Sequence, residues 1–101
     1  MTYSPIPLIQ GLIHDTQVYL LSLDIEISQN EKISLEKTLK KEFTKSALIQ
    51  KNTPTQLVNK FLFDNYNLTS KLTPRSFSED TFLLIMQWGI HKATEIKKSN
   101  E

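Results

Sequence analysis

Only two glycines occur in 101 residues, Gly11 and Gly89, and both fall inside stretches whose apolar positions recur at helical spacing. Tight hairpins and phosphate-cradling loops need backbone at positive φ or without a side chain, which glycine supplies at no steric cost. With neither glycine in a turn, the sequence argues against an all-β fold and against a glycine-rich nucleotide loop. The turns have to be made by Ser, Thr, Asn and Pro instead. The chain also lacks cysteine, which removes disulfides and thiolate metal sites.

The apolar periodicity predicts an all-α antiparallel four-helix bundle, a single domain over residues 1–101 with helices at about 6–24, 29–51, 54–71 and 74–97. Ile9, Leu12, Ile13, Thr16, Leu20 and Leu23 line the first helix, behind Pro5 and Pro7 at positions a helix start tolerates. Its end is ambiguous, because Leu23, Ile25 and Ile27 alternate with polar residues as an extended segment would. Ser28 and Glu31 form a capping-box pattern for the second helix, whose stripe is Leu35, Leu39, Phe43 and Ala47. Thr53-Pro54-Thr55-Gln56 opens the third with Thr as cap, Pro at the first helical position and Gln to close the box. Thr73-Pro74, followed by Ser76 and Glu79, opens the fourth in the same way. Gly89 and Ala93, four residues apart on that helix, are small enough to let another helix pass close.

One domain suits this length. The longest unbroken apolar run, residues 82–86, is far short of the roughly 20 residues a membrane span needs, and residues 1–7 carry no Lys or Arg. These features predict a cytoplasmic protein. The net charge of +1 is too small to demand a polyanionic partner, yet it is unevenly spread. Residues 1–27 hold Asp15, Asp24 and Glu26 with no base, whereas residues 28–52 hold six lysines against Glu31, Glu36 and Glu42. Opposite charge on antiparallel neighbours accounts for this as solvated, weakly stabilising pairs.

Catalytic and metal chemistry find little footing. Neither His14 nor His91 has Asp or Glu three residues before it, no Ser sits in a G-x-S-x-G elbow, and no calcium-loop pattern occurs. His14 and Asp15 are adjacent, and adjacent helical residues point in different directions. The sequence therefore predicts no enzyme activity, no catalytic or metal site and no cofactor or small-molecule substrate. Lys37, Lys41 and Lys45 do form a basic stripe on the second helix, interrupted by Glu36 and Glu42. That stripe is the basis of an alternative reading, a small regulatory or nucleic-acid-binding helical module.

Residues Pro54-Thr55-Gln56-Leu57-Val58-Asn59-Lys60-Phe61-Leu62-Phe63, an aromatic-rich third helix running on through Tyr66, resemble the immunity proteins of pediocin-like (class IIa) bacteriocins, specifically the enterocin A immunity family. Ser70-Lys71-Leu72-Thr73 is similar to that family's Lys, aliphatic, polar turn into the fourth helix. The first half of the chain agrees in helix number, length and spacing. Thr73-Pro74 departs from the family pattern by delaying the next aromatic to Phe77, and only a few residues follow Ile96.

The resemblance implies a cytosolic four-helix bundle that protects the bacterium making the bacteriocin. It implies action at the inner side of the mannose phosphotransferase permease that the bacteriocin uses as receptor, so the partner would be the permease–bacteriocin complex. The residue types on helices three and four add a candidate contact surface of Lys60, Lys71, Arg75, Trp88, His91 and Lys92. Trp88 fits two roles equally, closing the core or offering a large contact area with a donor.

Overall fold

The computed structural model describes residues 6–45 and 53–99, and among them the chain is all-α, with four helices, one short 3-10 turn and no strand. Helix α1 spans Ile6–Ser22, α2 Gln29–Lys45, α3 Thr53–Tyr66 and α4 Glu79–Ser99, with the 3-10 turn at Pro74–Ser76. Helix α1 packs most extensively on α4 and α2 and also meets α3. The short connection between α1 and α2 returns the chain between packed helices, so the two run antiparallel. A helical bundle is thus what the apolar spacing builds.

Leu8, Ile9, Leu12 and Leu20 of α1 share one core with Leu35, Leu39 and Phe43 of α2, Val58, Phe61 and Leu62 of α3, and Ile85 and Trp88 of α4. Each large apolar side chain removed from water in this way contributes about 1.5–3 kcal/mol. Thr16 sits in the same core without an orphaned hydroxyl, because its Oγ1 donates to the Leu12 carbonyl at 2.6 Å.

The ends of α1 and α3 and the start of α4 depart from the sequence expectation, and local chemistry explains each of these departures. Helix α1 stops at Ser22 instead of 24 because Asp24 turns left-handed, with φ of 60°. The Asp24 N–H donates to Leu21 O at 3.0 Å and the Ile25 N–H to Leu20 O at 2.9 Å. That bond pair is the Schellman closure, which satisfies carbonyls the helix would otherwise leave open. Residues 25–28 are therefore not helical, and Ile27 turns into the core.

Helix α3 ends at Tyr66, not 71, by a related device: Asn67 has φ of 54° and its N–H donates to Phe63 O at 3.0 Å. Asp and Asn thus occupy the two left-handed positions where glycine is the usual choice.

At the start of α2, Ser28 Oγ accepts the Glu31 N–H at 3.2 Å, which is the forward half of the expected capping box. Helix α3 begins at Thr53 itself, so any cap before it, like the expected end of the second helix over residues 46–51, lies outside the described residues. Helix α4 begins at Glu79, not 74. Thr73 and Pro74 instead open the 3-10 turn, in which the Thr73 N–H donates to Ser76 Oγ at 3.0 Å and the Ser76 N–H to Thr73 O at 2.9 Å. Phe77 then leaves helical geometry, with ψ of 171°, and tucks into the core. Ser78 caps α4, accepting the Thr81 N–H at 3.3 Å on its hydroxyl and the Phe82 N–H at 2.8 Å on its carbonyl.

The close helix crossing falls at the other glycine. Ala93 is exposed, so Gly89 and Ala93 do not form the expected approach site. A Cβ on Gly11 would lie 2.7 Å from Thr81 Oγ1, which places the tight contact between α1 and α4 there.

Candidate interaction surface

The six candidate residues fall into two groups. Lys60, on α3, and Lys71, in the segment after it, are both exposed, and each is the next residue to one member of a bonded pair. Asn59 and Leu72 are that pair: Asn59 Nδ2 donates to Leu72 O at 2.9 Å, and the Leu72 N–H donates to Asn59 Oδ1 at 3.1 Å. One side-chain amide thereby takes the place of a backbone partner and straps the segment to α3. Beside it lies a hollow of about 320 Å³ lined by Thr55, Gln56, Leu72, Thr73 and Pro74. Arg75, exposed on the 3-10 turn, follows this wall directly.

A second groove, of about 380 Å³, runs between α2 and α3, with Lys60, Phe61 and Asp64 on one side and Ser34, Thr38 and Glu42 on the other. Its lining mixes both charge signs around one aromatic ring. Phe63, on the same helix, is 54% exposed.

The other group is on α4. Trp88 is only 2% exposed, which decides between its two expected roles: it closes the core. Its ring tilts against Phe43 at a centroid distance of 5.5 Å and an angle of 49°, an arrangement worth about 0.5–1.5 kcal/mol beyond burial. Lys92 Nζ sits 4.7 Å from the centre of the same ring. That cation–π contact and the neighbouring His91, at 6.4 Å, cover the indole. Trp88 is therefore not part of the accessible surface, and His91 and Lys92 are its half-buried roof.

Glu95 organises that roof. Its Oε2 accepts from Lys92 Nζ at 3.1 Å, and its Oε1 lies 3.0 Å from His91 Nε2. The hydrogen bond from Lys92 holds the Glu95 carboxyl below its ordinary value, against an opposing effect of desolvation and with further help from the Lys92 charge and from His91. Sequence reasoning missed Glu95, although its spacing of three from Lys92 and four from His91 is a helical pairing pattern. It also missed Asn59 as a strap, for which no local pattern exists.

Of the second-helix lysines, Lys37 and Lys41 are exposed, Lys40 pairs with Glu36 at 2.7 Å, and the Lys45 side chain lies outside what the structure describes. Among the described residues, no three His, Asp or Glu side chains are grouped to hold a metal ion, and no helix is long and apolar enough to cross a membrane. Compared with known proteins, the chain matches no family model, no curated protein sequence and no solved structure at a significant level.

Proposed function

We propose that the protein is an immunity factor that protects a bacterium from a pediocin-like bacteriocin, acting from the cytosolic side at the mannose phosphotransferase permease. The observation that carries this reading is the Asn59–Leu72 strap. The two stretches that resemble the enterocin A immunity family, residues 54–63 and 70–73, are joined by it into one structural unit. Lys60, Lys71 and Arg75 are the exposed cations on and beside that unit, and they are the residues assigned to the partner. The buried Trp88, under Lys92 and His91, serves to hold α4 in place against α2.

Expression of the chain in a bacteriocin-sensitive strain tests the reading. Survival should rise against at least one pediocin-like peptide, and the combined Lys60→Ala, Lys71→Ala and Arg75→Ala variant should lose that protection while keeping its helical circular dichroism. No protection across a broad panel of such peptides rules the proposal out.

A nucleic-acid-binding role is the second reading, favoured by the exposure of Lys37 and Lys41 on one face of α2. It requires salt-dependent binding to DNA or RNA that weakens when both lysines become Ala. Absence of binding at low salt removes it.

A further inference from the structure

Helix α4 has a second face that the bundle leaves uncovered. Thr81, Ile85 and Trp88 turn into the core, all at 3% exposure or less. On the opposite side, Leu83 and Ile90 are 49% and 64% exposed, and the exposed Gln87 and Thr94 complete a stripe at spacings of four, three and four residues. Thr94 adds to the apolar character of this stripe, because its hydroxyl is already bonded to the Ile90 carbonyl at 2.9 Å. The stripe has charged ends of opposite sign, with Glu79 and Asp80 in the first turn and Lys97 and Lys98 in the last.

We propose that this face binds a second copy of the chain, with the two α4 helices antiparallel. A register that sets Leu83 opposite Thr94 of the second copy, and Gln87 opposite its Ile90, also sets Glu79 and Asp80 opposite Lys97 and Lys98. The same contact is then made twice about a two-fold axis that passes between residues 88 and 89, as an isologous dimer requires. A parallel pairing fails on charge, since it puts acid against acid at one end and base against base at the other. Antiparallel packing also opposes the two helix dipoles favourably. The acidic and basic ends of this one face complement each other, which fits the face to a second copy of itself. The inference is independent of the immunity reading and stands or falls without it.

With two large aliphatic side chains per copy at its centre, the dimer is a weak one, and sedimentation velocity of the full chain should show it forming between about 10 μM and 1 mM. Ile90→Glu should abolish it. Reversal of either end, Glu79→Lys with Asp80→Lys or Lys97→Glu with Lys98→Glu, should weaken it at least about fivefold, and combining both reversals should restore it. Circular dichroism confirms that each variant keeps its helices.

A zero-length carbodiimide cross-link supplies a second readout. The acidic and basic ends of one α4 lie about 26 Å apart at the helical rise of 1.5 Å per residue, so a bond joining them can only form between copies. Cross-linked dimer should yield peptides joining Glu79 or Asp80 to Lys97 or Lys98. A chain that stays monomeric to about 1 mM overturns the proposal. So does a dimer that survives Ile90→Glu, or one whose cross-links join other positions.

Discussion

Asp15 Oδ2 accepts two hydrogen bonds from Ser78, one from its backbone N–H and one from its hydroxyl, each 2.9 Å long. The carboxylate of α1 therefore meets the N-terminus of α4, where the helix dipole favours negative charge and where unpaired amides need an acceptor. Ser78 is the cap of α4, and its Oγ also lies 3.1 Å from Thr81 Oγ1. Thr81 in turn faces Gly11, one turn before Asp15. The contact between the first and last helices is thus keyed by residues of both polar and steric kinds, set four apart on one face of α1.

Removing the Asp15 carboxylate should loosen this joint. Asp15→Ala leaves the Ser78 amide and hydroxyl without their charged acceptor and should cost about 1–3 kcal/mol in urea or thermal denaturation. Asp15→Asn keeps an oxygen in place and should cost less. Equal stability of Asp15→Ala and the native chain would show that the pair is not structural.

Gly11 tests the steric half. Alanine is favoured over glycine by about 1 kcal/mol in a helix interior, so an open site would gain stability from Gly11→Ala. Here the added Cβ meets a buried, β-branched Thr81 whose Oγ1 lies close to Ser78, and overpacking should outweigh the gain by about 1–2 kcal/mol. In a Thr81→Ala background the obstruction is gone, and the same Gly11→Ala change should turn neutral or stabilising. The double-mutant cycle read by denaturation carries the sign.

Asn59→Ala breaks both strap bonds together. The loss should be about 1–3 kcal/mol, and hydrogen exchange at the Leu72 amide should accelerate more than at the α3 interior. Asn59→Asp keeps the acceptor for that amide but loses the donor to the Leu72 carbonyl, so it should protect the amide only in part. Uniform acceleration over the whole molecule would mean that Asn59 acts globally and not on the 70–73 segment.

Glu95 gives the pH dependence. Its carboxyl is held below its usual value in the folded chain, chiefly by the Lys92 hydrogen bond, so the folded state binds a proton there less readily than the unfolded one. The stabilisation is therefore present above the unfolded-state value and is lost as the pH falls through the lower, folded-state value. Carbon-detected NMR titration should place Glu95 lower in the folded chain than in the unfolded one, and Lys92→Met should move it back toward the unfolded value. No movement on that change would mean that Lys92 is not the cause.

Helix number, core stripes and class were legible because apolar period survives any choice of helix end: Leu12, Leu20, Leu35 and Leu39 are buried as their spacing requires. Boundaries were less so. Thr73-Pro74 carries the chemistry of a helix start, and it does start one, but Phe77 is drawn into the core and restarts the helix at Ser78. Two acids directly after Ser78 were the local signal for that cap. The Asp15–Ser78 joint spans 63 residues and the Asn59–Leu72 strap spans 13, so neither has a pattern that local spacing could reveal. Glu95 differs from these, because its spacing of three from Lys92 and four from His91 is a local signal, carried on a stripe of α4 in which the apolar run gives way to charge just past Trp88.

The near-absence of glycine has its own consequence at Asp24 and Asn67, which hold the left-handed positions that end α1 and α3 at φ of 60° and 54°. A side chain in that region crowds the following carbonyl, a cost of roughly 1–2 kcal/mol for most residues and less for Asp and Asn. Glycine avoids the crowding but brings extra freedom to the unfolded chain. The steric gain is the larger effect where the turn is already closed by hydrogen bonds, as both are. Asp24→Gly and Asn67→Gly should therefore each raise stability by up to about 1 kcal/mol, and the matching alanine changes should lower it by about the same amount. Thermal unfolding of the four single variants distinguishes this from a chain in which Asp24 and Asn67 serve only as polar surface, where alanine and glycine would behave alike.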